Sequence, residues 1–368
     1  MKKVLIIGAG FAGLSAAERL SRHGDCVKVT LIDAKPVFDF LPLLPDCLGR
    51  GLNPRYLSFE IDGFARKKGL EFLNAQVSGI NTEERRVIAG EKTIDYDYLI
   101  IASGSRTNFY GNKELETAAF KLDSAADAQR IRRALAETDF DSYIVCGGGY
   151  TGIEVAGNLR IYLNKKKRDK RIVIIERAPS VLGPLPEWMK EYVLANLKRL
   201  NIEVLTNSAI DRVEERSMLI WTAGVRASDF IQDLNTEKNP QGRIKVDKYL
   251  RLNERCFVTG DASWFAHQGS FLRMAVQFSI MQGQAAAENI IRSIGGNRLI
   301  EFRPLDLGYI IPMANNYSCG NILGRDVKGR LPTLLHYLMC IYRSCGRKNK
   351  FGIIRNLLNR TGEAYAYT

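Results

Sequence analysis

The sequence predicts an α/β protein built on two doubly wound parallel sheets. Three observations predict it. Short apolar runs, each the length of a buried strand, alternate with segments of helical periodicity. A G-x-G-x-x-G triplet follows an apolar run twice, at Gly8, Gly10 and Gly13 and again at Gly147, Gly149 and Gly152. Each triplet opens a helical segment, and a second apolar run then closes on an acid, first Asp33 and later Glu176. Recurrence of strand, glycines, helix, strand and acid marks an internal repeat.

In the first repeat, Lys3 to Ile7 reads as a strand, Leu14 to Leu20 as a helix and Val27 to Ile32 as a second strand. The parts meet the demands of a dinucleotide site. Gly8 permits a tight turn, Gly10 lets the backbone approach a pyrophosphate, and Gly13 lets helix and strand pack closely. The helix N-terminus offers N–H groups to phosphate, and Asp33, twenty residues beyond Gly13, suits a ribose. The following stretch, AKPVFDFLPLLPDCLGRGLNP, is proline-rich and aperiodic, so a loop or irregular cover is expected. Its Phe38, Phe40, Leu41, Leu43 and Leu44 are too apolar to face water together and are expected to pack on something, a flat ring being one candidate. Leu70 to Val77 and Arg86 to Ala89 read as short strands. Tyr96 to Ile101 reads as a buried strand that ends in the small residues Ala102, Ser103 and Gly104. Asp123 to Glu137 reads as an amphipathic helix with Asp123 as N-cap.

The second repeat comprises a strand at Tyr143 to Cys146, a helix at Gly152 to Tyr162 and a strand at Arg171 to Ile175. A carboxylate at Glu176 suits a free ribose 2′-hydroxyl and repels a 2′-phosphate, which favours NADH over NADPH. Pro184 to Arg199 reads as a helix and Ile202 to Leu205 as a strand. Met218 to Gly224 is a strand ending in small residues, as at Leu99 to Gly104. Cys256 to Ala262 is a strand that runs into Asp261, just beyond a strand end, where ligands bind in open α/β sheets. A helix is expected from Arg273 to Ile291, carrying Gln277 and Gln282.

At 368 residues two domains are expected. The net charge of +13 favours an anionic partner. Seven scattered cysteines without a C-x-x-C pair suggest a reducing compartment rather than a disulfide framework. Three histidines give no zinc spacing, so no metal site is expected. The charges of Glu18 and Arg19 argue against a secretory signal, and the lack of a long uncharged apolar stretch argues against a transmembrane helix. The tail is different in kind. Leu331 to Ile341 is strongly apolar, with Tyr337 inside and Tyr342 at its edge; Arg343, Arg347, Lys348 and Lys350 follow. Phe351 to Leu358 is apolar again, with Arg355 and Arg360 nearby. This pattern describes a helix pair lying in a membrane interface against anionic lipid. No nucleic-acid module accompanies the charge.

VLIIGAGFAGLSAA, FLPLLPDCLGRG, DYDYLIIASGSRTN, CGGGYTGIEVAGNL, IWTAGVRAS, GRIKVD, FVTGDAS and the tail together resemble the type II NADH:quinone oxidoreductases of the two-dinucleotide flavoprotein superfamily. The resemblance spans nearly the whole chain. It implies two Rossmann-like dinucleotide-binding domains, the second inserted in the first, and a C-terminal amphipathic helical membrane-anchor segment. The implied division is an FAD-binding domain at 1–107 and 226–300, an NADH-binding domain at 108–225 and a membrane-associating region at 301–368. FAD would lie on Gly8, Gly10, Phe11, Ala12, Gly13, Asp33, Ala34, Lys35, Leu44, Ala102, Ser103, Gly104 and Asp261. NADH, the substrate, would lie on Gly147, Gly149, Tyr150, Thr151, Gly152, Glu176 and Gly224. The implied reaction passes a hydride from NADH to flavin and two electrons on to a membrane quinone, without proton pumping. Glu154 would assist proton delivery, and Gln277 would serve the quinone. The implied setting is peripheral, on the cytoplasmic face of the cell membrane, and a homodimer is left open.

The chain departs from the family pattern in three places. The family's quinone motif has two glutamines four apart, whereas here Met281 takes the second place and Gln282 comes one residue late. The stretch Ile210 to Trp221 is short, as though a hairpin were missing. Cys47 and Cys319 lie in segments that could approach a flavin, as the cysteine pair of sulfide:quinone reductases does. A sulfide:quinone reductase-like flavoenzyme and a flavin-bound NADH sensor with little turnover therefore stand as alternatives.

Overall fold

A computed structural model describes residues 1–358, so Arg360 of the tail lies outside the described residues. In chain order the elements used below begin with β1 (Lys2–Ile7), α1 (Phe11–Leu20), β2 (Val27–Asp33), α2 (Asp46–Gly49), β3 (Glu71–Asn74), β4 (Tyr98–Ile101) and α3 (Ala125–Glu137). They continue with β5 (Ser142–Cys146), α4 (Tyr150–Lys165), β6 (Arg171–Ile175), α5 (Glu187–Arg199), β7 (Glu203–Leu205), β8 (Ser217–Trp221) and β9 (Cys256–Val258). The last are α6 (Val276–Ile294), β10 (Gly308–Ile311), β11 (Ser318–Ile322), β12 (Arg325–Gly329), α7 (Arg330–Arg343) and α8 (Arg347–Leu358).

The chain divides into two compact units. One comprises residues 1–38, 59–106 and 225–306; the other comprises 39–58, 107–224 and the chain from 307 onward. The first unit holds a parallel sheet of order β9-β4-β1-β2-β3. Ile7 sits in register with Ile32 on one side and Ile101 on the other. Leu5, Ile7, Ile32, Leu99, Ile101 and Val258 form the core with Phe278 of α6. Each such fully buried aliphatic side chain contributes roughly 1.5–3 kcal/mol, so the strands hold because their side chains have no other apolar refuge. The second unit repeats the plan with a parallel sheet of order β7-β6-β5-β8. Cys146 is in register with Ile175 and with Trp221. Its core joins Val145, Ile174 and Ile220 to Val155 and Leu159 of α4 and to Ile311 and Cys319 of the antiparallel sheet β10-β11-β12.

Several elements differ from the sequence reading. The proline-rich stretch after Asp33 is not a bare loop. It contains a strand at Val37–Asp39, a 3-10 turn at Leu41–Leu43 and the helix α2. Phe38, Phe40, Leu43 and Leu44 are buried, as their apolar character requires, and of the five only Leu41 is exposed. Residues 39–58 pack in the second unit, whereas the sequence division put them in the first part of the chain. The cap of α3 is Ser124, whose Oγ accepts from Asp127 N, and not Asp123. The Asp123 carboxylate instead accepts from Thr107 Oγ1. Helix α6 starts at Val276 because Ala275 is still extended, and α5 starts after Pro186, whose ψ of 143° is extended. The tail forms two helices, α7 and α8. Among the described residues no helix is long and apolar enough to cross a membrane.

Candidate functional site

The first cradle is built where β1 meets α1. Gly8 has φ of +99°, and a Cβ there would meet Ala102 O at 2.3 Å. A Cβ on Gly13 would meet Gly8 O at 1.8 Å. Gly8 and Gly13 are thus glycine because protein backbone fills the space. Gly10 is different: a Cβ there would meet nothing within 4 Å. The space at Gly10 is left open, as the approach of a phosphate would require. The carboxylate of Asp33 closes the cradle. Its Oδ2 accepts from Ala9 N at 2.6 Å and its Oδ1 from Lys35 N at 2.8 Å. A pocket of about 370 Å³ opens here, lined in part by Gly8, Asp33, Ala34 and Ser103. Ser103 Oγ is buried without a hydrogen-bond partner, as expected of a group kept for a ligand. Phe11 stands edge-on to Phe38 at 5.1 Å, and Ala12 is buried. Gly104 has φ of +66° and open space around it.

Asp261 follows β9 in a 3-10 turn, Gly260–Ala262, and accepts from Ser105 Oγ at 2.8 Å. Burial raises its carboxyl above the ordinary carboxylate range, against the pull of that hydrogen bond and of the Arg243 charge. The sequence reading missed the far wall of the pocket, where Arg106 pairs with Asp229. No local motif marks either residue.

The second cradle reproduces the first. Gly147 has φ of +108°, and a Cβ on Gly152 would meet Gly147 O at 1.9 Å. Gly149 has open space around it, as Gly10 does. Glu176 Oε2 accepts from Gly148 N at 2.6 Å and its Oε1 from Ala178 N at 2.8 Å. At the start of α4, Thr151 is exposed and the Tyr150 ring stands edge-on to Tyr309 at 6.2 Å. The space at Gly224 is taken, since a Cβ would meet Tyr110 Oη at 2.1 Å. Leu44 is fully buried in this unit.

Glu154, on the first turn of α4, is partly buried. Desolvation raises its carboxyl well above the ordinary range, and the nearby Asp46 charge raises it further. Asp46 belongs to α2, which packs so closely on α4 that a Cβ on Gly49 would meet Asn158 O at 2.2 Å. Burial raises Asp46 as well, opposed by Arg50 and by hydrogen bonds from Tyr337, Arg50 and Asn158. This buried group of charges was not legible in the chain. Gln277 is buried, and its Nε2 donates to Asp306 Oδ1 at 3.1 Å. Met281 occupies the family's second glutamine place and packs against the apolar core of the first unit.

Cys47 and Cys319 are both fully buried. Desolvation pushes the Cys47 thiol up and takes Cys319 up to about 12. Neither is set up as a thiolate nucleophile, which needs a depressed value and access. Among the described residues no cluster of histidine, cysteine and acid could hold a metal ion.

The sequence profile of the pyridine nucleotide-disulphide oxidoreductase family matches residues 2–289. The type II NADH:quinone oxidoreductase of Staphylococcus haemolyticus is 26% identical over 89% of this chain and 92% of its own. The structure of NDH2 from Plasmodium falciparum in complex with NADH superposes with a TM-score of 0.85 at 19% identity, covering 97% of this chain and 98% of that one. The sulfide:quinone oxidoreductase of Aquifex aeolicus superposes with a TM-score of 0.77 at 17% identity, covering 99% and 96%. At these identities the structural likenesses speak to fold alone.

Proposed function

Since the chain belongs to the pyridine nucleotide-disulphide oxidoreductase family, we propose that it is an FAD-dependent oxidoreductase that oxidises NADH and reduces a membrane quinone, without pumping protons. The observation that carries this reading is the pair of matched cradles, each with an open glycine and an acid held by two backbone N–H groups. The curated relative's name, type II NADH:quinone oxidoreductase, gives the reading its substrates.

FAD fits the first cradle. Gly10 leaves room for pyrophosphate, Asp33 and Ser103 line a pocket beside it, and Asp261 stands ready for polar contact beyond β9. When bound there, the flavin supplies two-electron redox chemistry that no side chain offers. NADH belongs on the second cradle. The N-terminus of α4 faces its phosphates, and the Glu176 charge repels a 2′-phosphate. Burial raises the Glu154 carboxyl well above the ordinary carboxylate range, which suits it to hold a proton and give it up nearby. Gln277, fixed by Asp306, offers an amide for the quinone.

The tail favours a lipid surface. Leu331, Leu334, Leu338, Tyr342, Phe351 and Leu358 are all more than half exposed on α7 and α8, with Arg343, Arg347, Lys348, Lys350 and Arg355 among them. Apolar side chains flanked by cations seat a helix pair at anionic headgroups without spanning the bilayer. The surface facing the cytoplasm carries such lipid.

The test is an anaerobic titration of the FAD-reconstituted protein. NADH should bleach the flavin band, NADPH should do so far more slowly, sulfide should leave it unchanged, and added quinone should restore it. A protein that stays colourless after incubation with FAD would sink the proposal. Slow return of colour with quinone would favour the NADH sensor instead. Sedimentation with vesicles rich in phosphatidylglycerol, lost on neutral vesicles, tests the tail.

A further inference from the structure

Helix α6 carries three glutamines, Gln277, Gln282 and Gln284, and their surroundings separate the first two. Gln277 engages Asp306, which also takes the Arg273 guanidinium. Gln282 is turned the other way, only 2% exposed, into the body of the first unit. Its Oε1 accepts from Gly260 N at 2.7 Å and lies 3.0 Å from Ser263 Oγ. Ser263 Oγ is also 2.9 Å from Gly260 O, and its single proton serves one acceptor or the other. Gly260 and Ser263 bracket the turn that carries Asp261.

The rest of that helix face does related work. A Cβ on Gly260, at φ of +66°, would come within 3.1 Å of Ala12 Cβ and 3.4 Å of Ser279 Oγ. A Cβ on Gly283 would meet Ala12 O at 2.1 Å. One turn of α6 therefore seats both the N-terminus of α1 and the Asp261 turn. From the opposite side the buried Arg243 donates through Nε to Ser263 O at 2.9 Å.

We infer that Gln282 is a positioning residue for FAD. Its amide oxygen fixes the backbone of the Gly260–Ala262 turn, and so the Asp261 carboxyl, rather than contacting the quinone. The inference rests on the reading that the first cradle holds FAD. The late glutamine is then no displaced copy of a quinone ligand, because its oxygen is already engaged by backbone.

The test titrates FAD into the deflavinated full chain and follows the quenching of flavin fluorescence. Gln282→Leu leaves a buried N–H without an acceptor, so the FAD Kd should rise about 10- to 100-fold. Ser263→Ala, a gentler change at the same turn, should raise it in the same direction and carries the test if the leucine variant does not fold. At saturating FAD, Gln282→Leu should show an altered visible circular dichroism of the bound flavin while its quinone KM stays at the wild-type value. Unchanged FAD affinity in both variants, or a raised quinone KM with normal FAD affinity, overturns the inference. A wild-type chain that binds no FAD overturns the parent reading as well, and so the two failures are told apart.

Discussion

The phenol of Tyr337 donates a 2.8 Å hydrogen bond to Asp46 Oδ1, joining residues 291 positions apart. Arg50 completes the contact. Its Nε lies 3.0 Å from the same oxygen, its guanidinium sits 5.3 Å from the Tyr337 ring centroid, and its terminal nitrogen reaches Ala314 O and Asn316 Oδ1. Helix α7 is thereby tied to α2 through polar groups beneath its exposed apolar face. Tyr337→Phe removes the donor but keeps the ring. The expected cost is about 1–2 kcal/mol of unfolding free energy in urea, with faster amide exchange in α7. Unchanged exchange there would show that the bond does not hold the helix.

Gly10→Ala and Gly13→Ala separate ligand space from protein space. Alanine at Gly13 collides with Gly8 O, so a loss of roughly 1–3 kcal/mol is expected even without cofactor. Alanine at Gly10 meets no protein atom within 4 Å. It should leave the melting temperature of the cofactor-free chain nearly unchanged and weaken FAD binding. Equal destabilisation by both would remove the case for ligand space at Gly10.

Glu154 holds its proton above the ordinary carboxylate range because burial and Asp46 both disfavour its charge. Glu154→Gln should therefore slow turnover while leaving flavin content intact. In the wild type, a rate that depends on this donor falls as pH rises through its folded value, and the variant should flatten that limb. Stability has the same sign. The unfolded carboxyl loses its proton first as pH rises, so Glu154 contributes a loss of stability with rising pH that the variant lacks. A parallel pH–rate profile in the variant would take Glu154 out of the chemistry.

His336 is pushed down to about 4, from an ordinary 6.5, by burial and by the Arg50 charge. The folded chain thus resists a proton that the unfolded chain takes up. Stability is full above pH 6.5 and is lost as pH falls toward 4. Melting curves from pH 7 to 5 should show this contribution as the difference between the wild type and His336→Phe, the wild type losing more stability, or gaining less, as pH falls. Identical pH dependence of the melting temperature in the wild type and in His336→Phe over that range contradicts the burial.

On the proposed reading, Glu176→Gln removes the charge that would repel a 2′-phosphate. The preference in kcat/KM for NADH over NADPH should fall by about tenfold, equivalent to 1.4 kcal/mol. A preference unaltered by the change would place discrimination elsewhere.

Both cradles were legible in the chain because their determinants are local. The turn at Gly8, the acid at Asp33 and their counterparts Gly147 and Glu176 lie within one strand–helix–strand unit, and periodicity reports such units directly. The stretch 39–58 was not legible, since apolar residues such as Leu43 and Leu44 announce burial but not the partner that buries them. Asp46 with Tyr337, and Gln282 with Gly260, depend on contacts between distant segments. No spacing rule links such positions. Cap placement failed at Asp123, whose carboxylate accepts from Thr107 Oγ1.

The acids at Asp33 and Glu176 have each lent both oxygens to neighbouring main chain before any nucleotide arrives. They are mortar in the folded chain itself. Retailoring the chain for a phosphorylated dinucleotide is therefore a masonry problem: a replacement side chain must supply two acceptors to Gly148 and Ala178, or the loop it was meant to redecorate will sag.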